Sequence, residues 1–216
     1  MMVVIMERVR SNQGRPVGRG RAADRREGAV DPRERMIQSA ALLFRRQGIE
    51  GTSFSDVLAH SRAPRGSIYH HFPGGKSELA EEATRYAGDF IASGLVAALG
   101  DDDPVAAIQA FTASWLDVLR RGDFTAGCPV VAAAVEGDRT PGARDAAGDA
   151  FGRWEDLIAG AVERGGVAGD RARSVATLVI AAIEGGIVVA RAQRSTQPLE
   201  RVAGEVEQLV AGLVAG

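Results

Sequence analysis

The sequence predicts an all-α protein, and three observations carry that expectation. Apolar residues recur at spacings of three, four and seven in one segment after another. Ser, Asp, Pro and Gly punctuate those segments at the places where helices start and stop. Hydrophobic residues make up 45% of the chain but aromatics only 5%, and no apolar–polar alternation marks a strand.

Residues 1–31 include "SNQGRPVGRGRAADRREGAV", rich in Gly and Arg and without period, which reads as a disordered basic extension. The first helix is expected over 32–47. Asp31 suits its N-cap and Pro32 its first position, Ile37, Ala40, Ala41 and Phe44 make one buried stripe, and Gly48 suits a left-handed end. Ser53 with Asp56 three residues on resembles a capping box before a short helix over 54–60, with Val57 and Leu58 inward. After a turn at 61–63, Pro64 is expected to open a third short helix through "APRGSIYHHF". Three short helices, the last two joined by a tight turn, match a helix-turn-helix.

The chain breaks at Pro73-Gly74-Gly75 and restarts as a long helix from Lys76 to about Leu99, with Leu79, Ala83, Tyr86 and Phe90 on its stripe. Asp103-Pro104 begins a helix bearing Ile108, Phe111, Trp115 and Leu119, and "GCPVVAAAV" gives one or two turns. A helix over 142–164 carries Ala147, Phe151, Trp154, Ile158 and Ala161. Asp170 can cap another to about 191, and Pro198 opens the last, with Leu199, Val202, Val206, Leu209 and Leu213. The predicted domains are a basic extension (1–31), a helix-turn-helix unit (32–78) and a larger helical domain (79–216).

Charge separates the two ordered parts. Residues 1–76 carry 14 Lys and Arg against 7 Asp and Glu, and residues 77–216 carry 12 against 21. A basic front suits phosphate while an acidic remainder is repelled by it, although asymmetry can also serve solubility alone. No apolar run approaches the roughly 18 residues of a membrane span, and "MMVVIM" is too short for a secretory core, so a cytoplasmic protein is expected. Cys128 is the single cysteine, which excludes an internal disulfide; it reads as a buried small hydrophobe or as a thiol sensor.

Enzymatic readings find no support. "PGGKS" resembles the end of a phosphate loop, but His70 stands where that loop needs its first Gly, and helix rather than strand precedes it. Adjacent His70 and His71 point about 100° apart on a helix and cannot share a metal. No metal or cofactor is expected.

The segment from Pro64 to Phe72 instead suits a DNA reader. Ile68 and Phe72 pin it inward, while Gly66, Ser67 and His70 face out with Arg65 and Tyr69 on a flank. Small Gly66 admits close approach, Ser67 and His70 can reach base edges, and Arg65 and Tyr69 can hold phosphate or read guanine. Lys76, the only lysine, makes an anion site with a helix N-terminus; Thr52 and Ser53 offer donors to another phosphate. The plainer reading is a solvated polar face.

Residues Arg33 to about Ile91 resemble the DNA-binding region of TetR-family transcriptional regulators. The residues that carry the resemblance are Ala41, Phe44, Gly48, Thr52-Ser53, Asp56-Val57, Gly66, Ser67-Ile68-Tyr69, His71-Phe72, Lys76 and Leu79. "PRGSIYHHFPGGK" followed by "GCPVVAAAVE" is similar to an LmrA/YxaF-like subset. Two positions depart from the family pattern. Arg62 stands where a turn glycine is usual; if left-handed it costs on the order of 1 kcal/mol, part of which a phosphate contact can offset. Pro64 replaces the usual Ser or Thr cap.

The resemblance implies a homodimeric, ligand-released repressor on palindromic double-stranded DNA, dimerising through its two C-terminal helices. Small residues over 172–190 and a Leu/Val stripe over 199–213 allow that interface, although the stripe also fits an ordinary core. The implied effector is small and largely apolar. Phe111, Trp115, Cys128, Val131, Phe151 and Trp154 are candidate lining residues, each also readable as plain core. Glu184 stands in a very apolar helix, where burying it unpaired is costly. The alternative from another class is a helical protein–protein adaptor.

Overall fold

A computed structural model describes residues 31–64, 66, 68–101 and 103–215. The basic extension read over residues 1–31 lies almost wholly outside them, as do Arg65 and Ser67. Every element among the described residues is helical: α1 (Pro32–Gln47), α2 (Phe54–Ser61), α3 (Ile68–His71), α4 (Gly75–Ala98), a 3-10 turn (Leu99–Asp101), α5 (Pro104–Arg121), α6 (Pro129–Glu136), α7 (Pro141–Arg164), α8 (Gly169–Gln193) and α9 (Gln197–Val214).

The head is α1 to α3 with the start of α4. Met36, Ile37, Ala40 and Phe44 of α1 meet Val57 of α2, Ile68, Phe72 and Leu79 in one apolar cluster, which continues into the body without a break. Ser53 and Asp56 form the expected reciprocal capping box on α2. Asp31 and Asp170 differ from expectation: Asp31 makes no side-chain cap bond, and the cap of α8 is Ala168. Gly48 has φ 77° but ψ 174°, outside the left-handed helical well. Its conformation still requires glycine, and a Cβ there would run into the Glu136 carboxylate.

The third helix is shorter than expected. It starts at Ile68 rather than Pro64, because Pro64 supplies no side-chain cap and Gly66 is a weak helix former in the first turn. Arg62 is the left-handed residue that ends α2, with φ 56° and ψ 33°.

In the body, α4 packs along α7. Gly88 lies close against Ala150, and Trp154 Nε1 donates to the Gly88 carbonyl at 3.1 Å. The buried stripe of α4 is Leu79, Ala83, Ala87, Ile91 and Leu95, whereas Tyr86 and Phe90 are half-buried at its edge.

Helices α8 and α9 divide their apolar surface between core and solvent. Leu199 and Val206 of the α9 stripe are buried within the chain with Ala203 and Val210 beside them, while Val202, Leu209 and Leu213 are half-buried. On α8 one face is buried through Val175, Val179, Ile183 and Ile187, while Leu178, Val188 and Val189 stand 49%, 52% and 43% exposed on the other. Apolar on both sides, α8 is by length and composition alone long and apolar enough to cross a membrane, with 44% of that stretch buried inside the protein. Its buried side belongs to the core shared with α7 and α9.

Candidate nucleic-acid interface and interior cavities

The candidate reading surface is built on two buried anchors. Ile68 and Phe72 are almost wholly inaccessible, and the Arg33 guanidinium sits 5.0 Å above the Phe72 ring while pairing with Glu82 and, at 3.8 Å, with Glu78. Helix α3 is thereby tied to both α1 and α4. With its inner side fixed, α3 holds Tyr69 69% exposed and His70 exposed, with His71 half-buried. The Tyr69 ring stands edge-on to Phe54, the first residue of α2, at 5.6 Å. This brings Tyr69 beside the N-terminus of α2, where backbone N–H groups favour an anion.

Gly66 is exposed with open space where a Cβ would stand, and Arg62 is exposed. Ser53 is exposed, but its hydroxyl is engaged with Asp56, which holds that carboxyl below the ordinary range. Thr52 is a correction to the expected set. It is buried, and its hydroxyl donates to the Gly48 carbonyl at 2.7 Å, so it fixes the loop rather than facing a phosphate. Lys76 is half-buried, with Nζ donating to the Glu50 carbonyl at 3.2 Å. Among the described residues, no group of three or more His, Cys, Asp or Glu can hold a metal ion.

The sequence does not reveal a clamp between head and body. The Glu50 N–H donates to Glu136 Oε2 at 2.9 Å, Arg139 pairs with the Glu50 carboxylate at 3.3 Å, and the Gly127 N–H donates to the Arg45 carbonyl at 2.7 Å. The end of α6 therefore holds the α1–α2 loop directly. These partners are more than 80 positions apart, so no local pattern announces them.

The candidate effector residues do not share one pocket. Phe111, Trp154 and Glu184 line an apolar cavity between α4, α5, α7 and α8, with Leu95, Ile158 and Ile183. It holds about 30 Å³, far below the roughly 300 Å³ of a typical ligand site. Cys128 and Val131 line a different cavity of about 390 Å³ where α1 meets α6 and α8; Glu184 reaches this one too. Trp115 and Phe151 line neither. Trp115 is wholly buried, and Phe151 stacks edge-on against Trp154 at 5.2 Å. A third apolar opening of about 270 Å³ lies between α4 and α5 around Phe90, Ala98 and Phe111.

Glu184 is buried, and among the described residues neither carboxyl oxygen has a hydrogen bond of normal geometry. Burial pushes its pKa up to about 7, with the Cys128 thiol the neighbour that opposes the shift. The Cys128 thiol is itself pushed well up by burial and by Glu184, which argues against a reactive thiolate.

Comparison with known proteins agrees with this fold. Residues 36–83 match the family model of bacterial regulatory proteins of the tetR family, and residues 104–205 match that of the LmrA/YxaF-like transcriptional regulator C-terminal domain. A relative in Mycobacterium tuberculosis, named uncharacterized HTH-type transcriptional regulator Rv0196, is 42% identical over 185 residues, covering 83% of this chain and 94% of that one. The HTH-type transcriptional regulator LmrA of Bacillus subtilis is 31% identical, covering 83% and 97%. The crystal structure of a TetR transcriptional regulator from Chloroflexus aurantiacus superposes with a TM-score of 0.70 at 29% identity, covering 83% and 94%.

Proposed function

Because the chain belongs to the TetR family of bacterial regulators, we propose that it is a cytoplasmic homodimeric repressor, gripping a palindromic operator through α3 and released by a small, largely apolar effector. That it is a helix-turn-helix transcriptional regulator and no enzyme follows from the family itself. The proposal assigns residues 32–78 to DNA reading and 79–216 to effector binding and dimerisation, with the basic residues 1–31 as an extension.

The observation that carries it is the two-sided build of α3: Ile68 and Phe72 are fixed in the core while Tyr69 and His70 project from a rigid seat. In this proposal a helix of four residues gains its grip from two copies on two half-sites. In this proposal His70 meets base edges. Arg62, Tyr69, Lys76 and the Ser53 end of α2 hold phosphates, and Gly66 admits the duplex. The second copy docks on the exposed face of α8, where Leu178, Val188 and Val189 await cover. The effector enters by widening the apolar cavity beside Trp154 and Glu184, and α4 and the α6 clamp carry the shift to the head.

Selection from a random duplex library, with the mass of the selected complex, tests this reading. The expected result is an inverted repeat bound by two chains. Sites without a dyad, or a complex of one chain, would refute it, and association without any duplex preference would favour the adaptor.

A further inference from the structure

The cavity where α1 meets α6 and α8 is walled in part by a charged side chain that no ion pair balances among the described residues. Arg45 is 5% exposed, and its Nε and Nη2 are buried without a partner among the described residues. Those two groups form one edge of the planar guanidinium, the edge that a carboxylate engages with both oxygens. Burial lowers the Arg45 pKa to about 10, so it remains charged at neutral pH.

Among the described residues no acidic neighbour neutralises it. Cys128 is held neutral by burial, and Glu136 is turned to the Glu50 N–H. Glu184 lines the same cavity but forms no ion pair with Arg45, and burial keeps it largely protonated below about pH 7. Arg46 and Arg191 add repulsion. Among the described residues Arg191 Nε is also buried without a partner, although its Nη2 donates to the Thr125 carbonyl at 3.2 Å, and its guanidinium lies over Gly127, where any Cβ would collide with it. At about 390 Å³ the space admits a small molecule, and its remaining walls include Phe44, Val131 and Ile187.

We propose that this cavity is a binding site for a small organic acid, whose carboxylate takes the Nε–Nη2 edge of Arg45 beside Arg191 and whose apolar body lies along Phe44, Val131 and Ile187. Arg45 belongs to α1 of the head and Arg191 to α8 of the body. A bridging carboxylate thus fixes the tilt of one on the other, and occupancy changes the spacing of two heads in a dimer. That regulatory consequence rests on the DNA-binding reading; the site itself does not.

The test is calorimetric titration and thermal unfolding of the full chain with straight-chain monocarboxylates from butanoate to decanoate, benzoate and phenylacetate, each against its primary amide and against inorganic phosphate. At least one carboxylate is expected to bind saturably and raise the Tm, while its amide does neither. Arg45→Met should weaken that binding by at least about 30-fold and raise the Tm of the unliganded chain, because it removes an unbalanced buried charge. Arg191→Gln, at a less buried position, should weaken binding less and covers the case in which Arg45→Met fails to fold. Equal binding of acid and amide, preference for phosphate, or undiminished binding in both variants would overturn the site. Carboxylate binding through Arg45 in a chain that selects no duplex would leave the site standing and remove only the regulator reading.

Discussion

The reading head and the interior treat polar side chains in opposite ways. Around α2 and α3 they are satisfied locally or left to solvent: Ser53 and Asp56 cap each other, Thr52 bonds Gly48, His60 Nδ1 lies 3.0 Å from the Ser39 hydroxyl, and Tyr69 and His70 are exposed. The head–body junction and the body interior instead hold buried polar atoms without partners among the described residues, on Arg45, Thr112, Trp115, Thr140, Glu184 and Arg191. A surface that must meet DNA in one geometry gains from being finished beforehand. An interior that must change state gains from groups a ligand or a rearrangement can satisfy.

Variants can sharpen or break that contrast. The largest effect is expected at the anchor of the head. Phe72→Ala removes a wholly buried ring and the seat of Arg33, and should cost about 3–5 kcal/mol in denaturant unfolding. A loss below 1 kcal/mol would mean that α3 is not rigidly seated.

The interior and the head should respond to pH with opposite signs, because burial raises the pKa of Glu184 while it lowers that of His60 in α2. Glu184 has a folded-state pKa of about 7 against its ordinary 4.5, so the folded state holds the proton more tightly. Its contribution is fully present below about pH 4.5 and is lost as pH rises through about 7. Stability should therefore fall by about 2–3 kcal/mol across that window, and Glu184→Gln should abolish this component and gain a similar amount at pH 8. An unchanged pH profile in the variant would place the carboxyl in contact with water.

Smaller effects return to the head. Ser53→Ala breaks the capping box and should cost about 1 kcal/mol of thermal stability. Arg62→Gly relieves a left-handed non-glycine residue and should stabilise the isolated protein by about 0.5–1 kcal/mol. The same change should weaken binding to every duplex alike if the guanidinium holds a phosphate, a trade visible by measuring Tm and affinity together.

The helices were largely legible because their end signals are local: Pro32, the Ser53–Asp56 box and Asp103-Pro104 each act within one turn. The start of α3 was not, since Pro64 favours initiation while Gly66 opposes it, and propensity alone does not decide. Thr52 reads as a donor on sequence because nothing local shows that the Gly48 carbonyl will claim it. The candidate effector residues scatter, some to separate cavities and Trp115 and Phe151 to neither, because cavity shape depends on how long helices stack, which periodicity does not encode. Arg45 was detectable in principle: it lies eight positions after Ile37, on the buried stripe itself, where a charged residue signals either a partner or a site.

The central claim is that α3 reads sequence from a seat fixed in advance. Titrating the chain onto its selected inverted repeat and onto a scrambled duplex, across a range of salt concentrations, tests it most directly. Affinity for both should fall linearly on logarithmic axes, with a slope of about −0.9 per phosphate neutralised. The preference for the repeat should persist throughout and shrink in His70→Ala. Equal affinity for the two duplexes at every salt concentration would contradict the account.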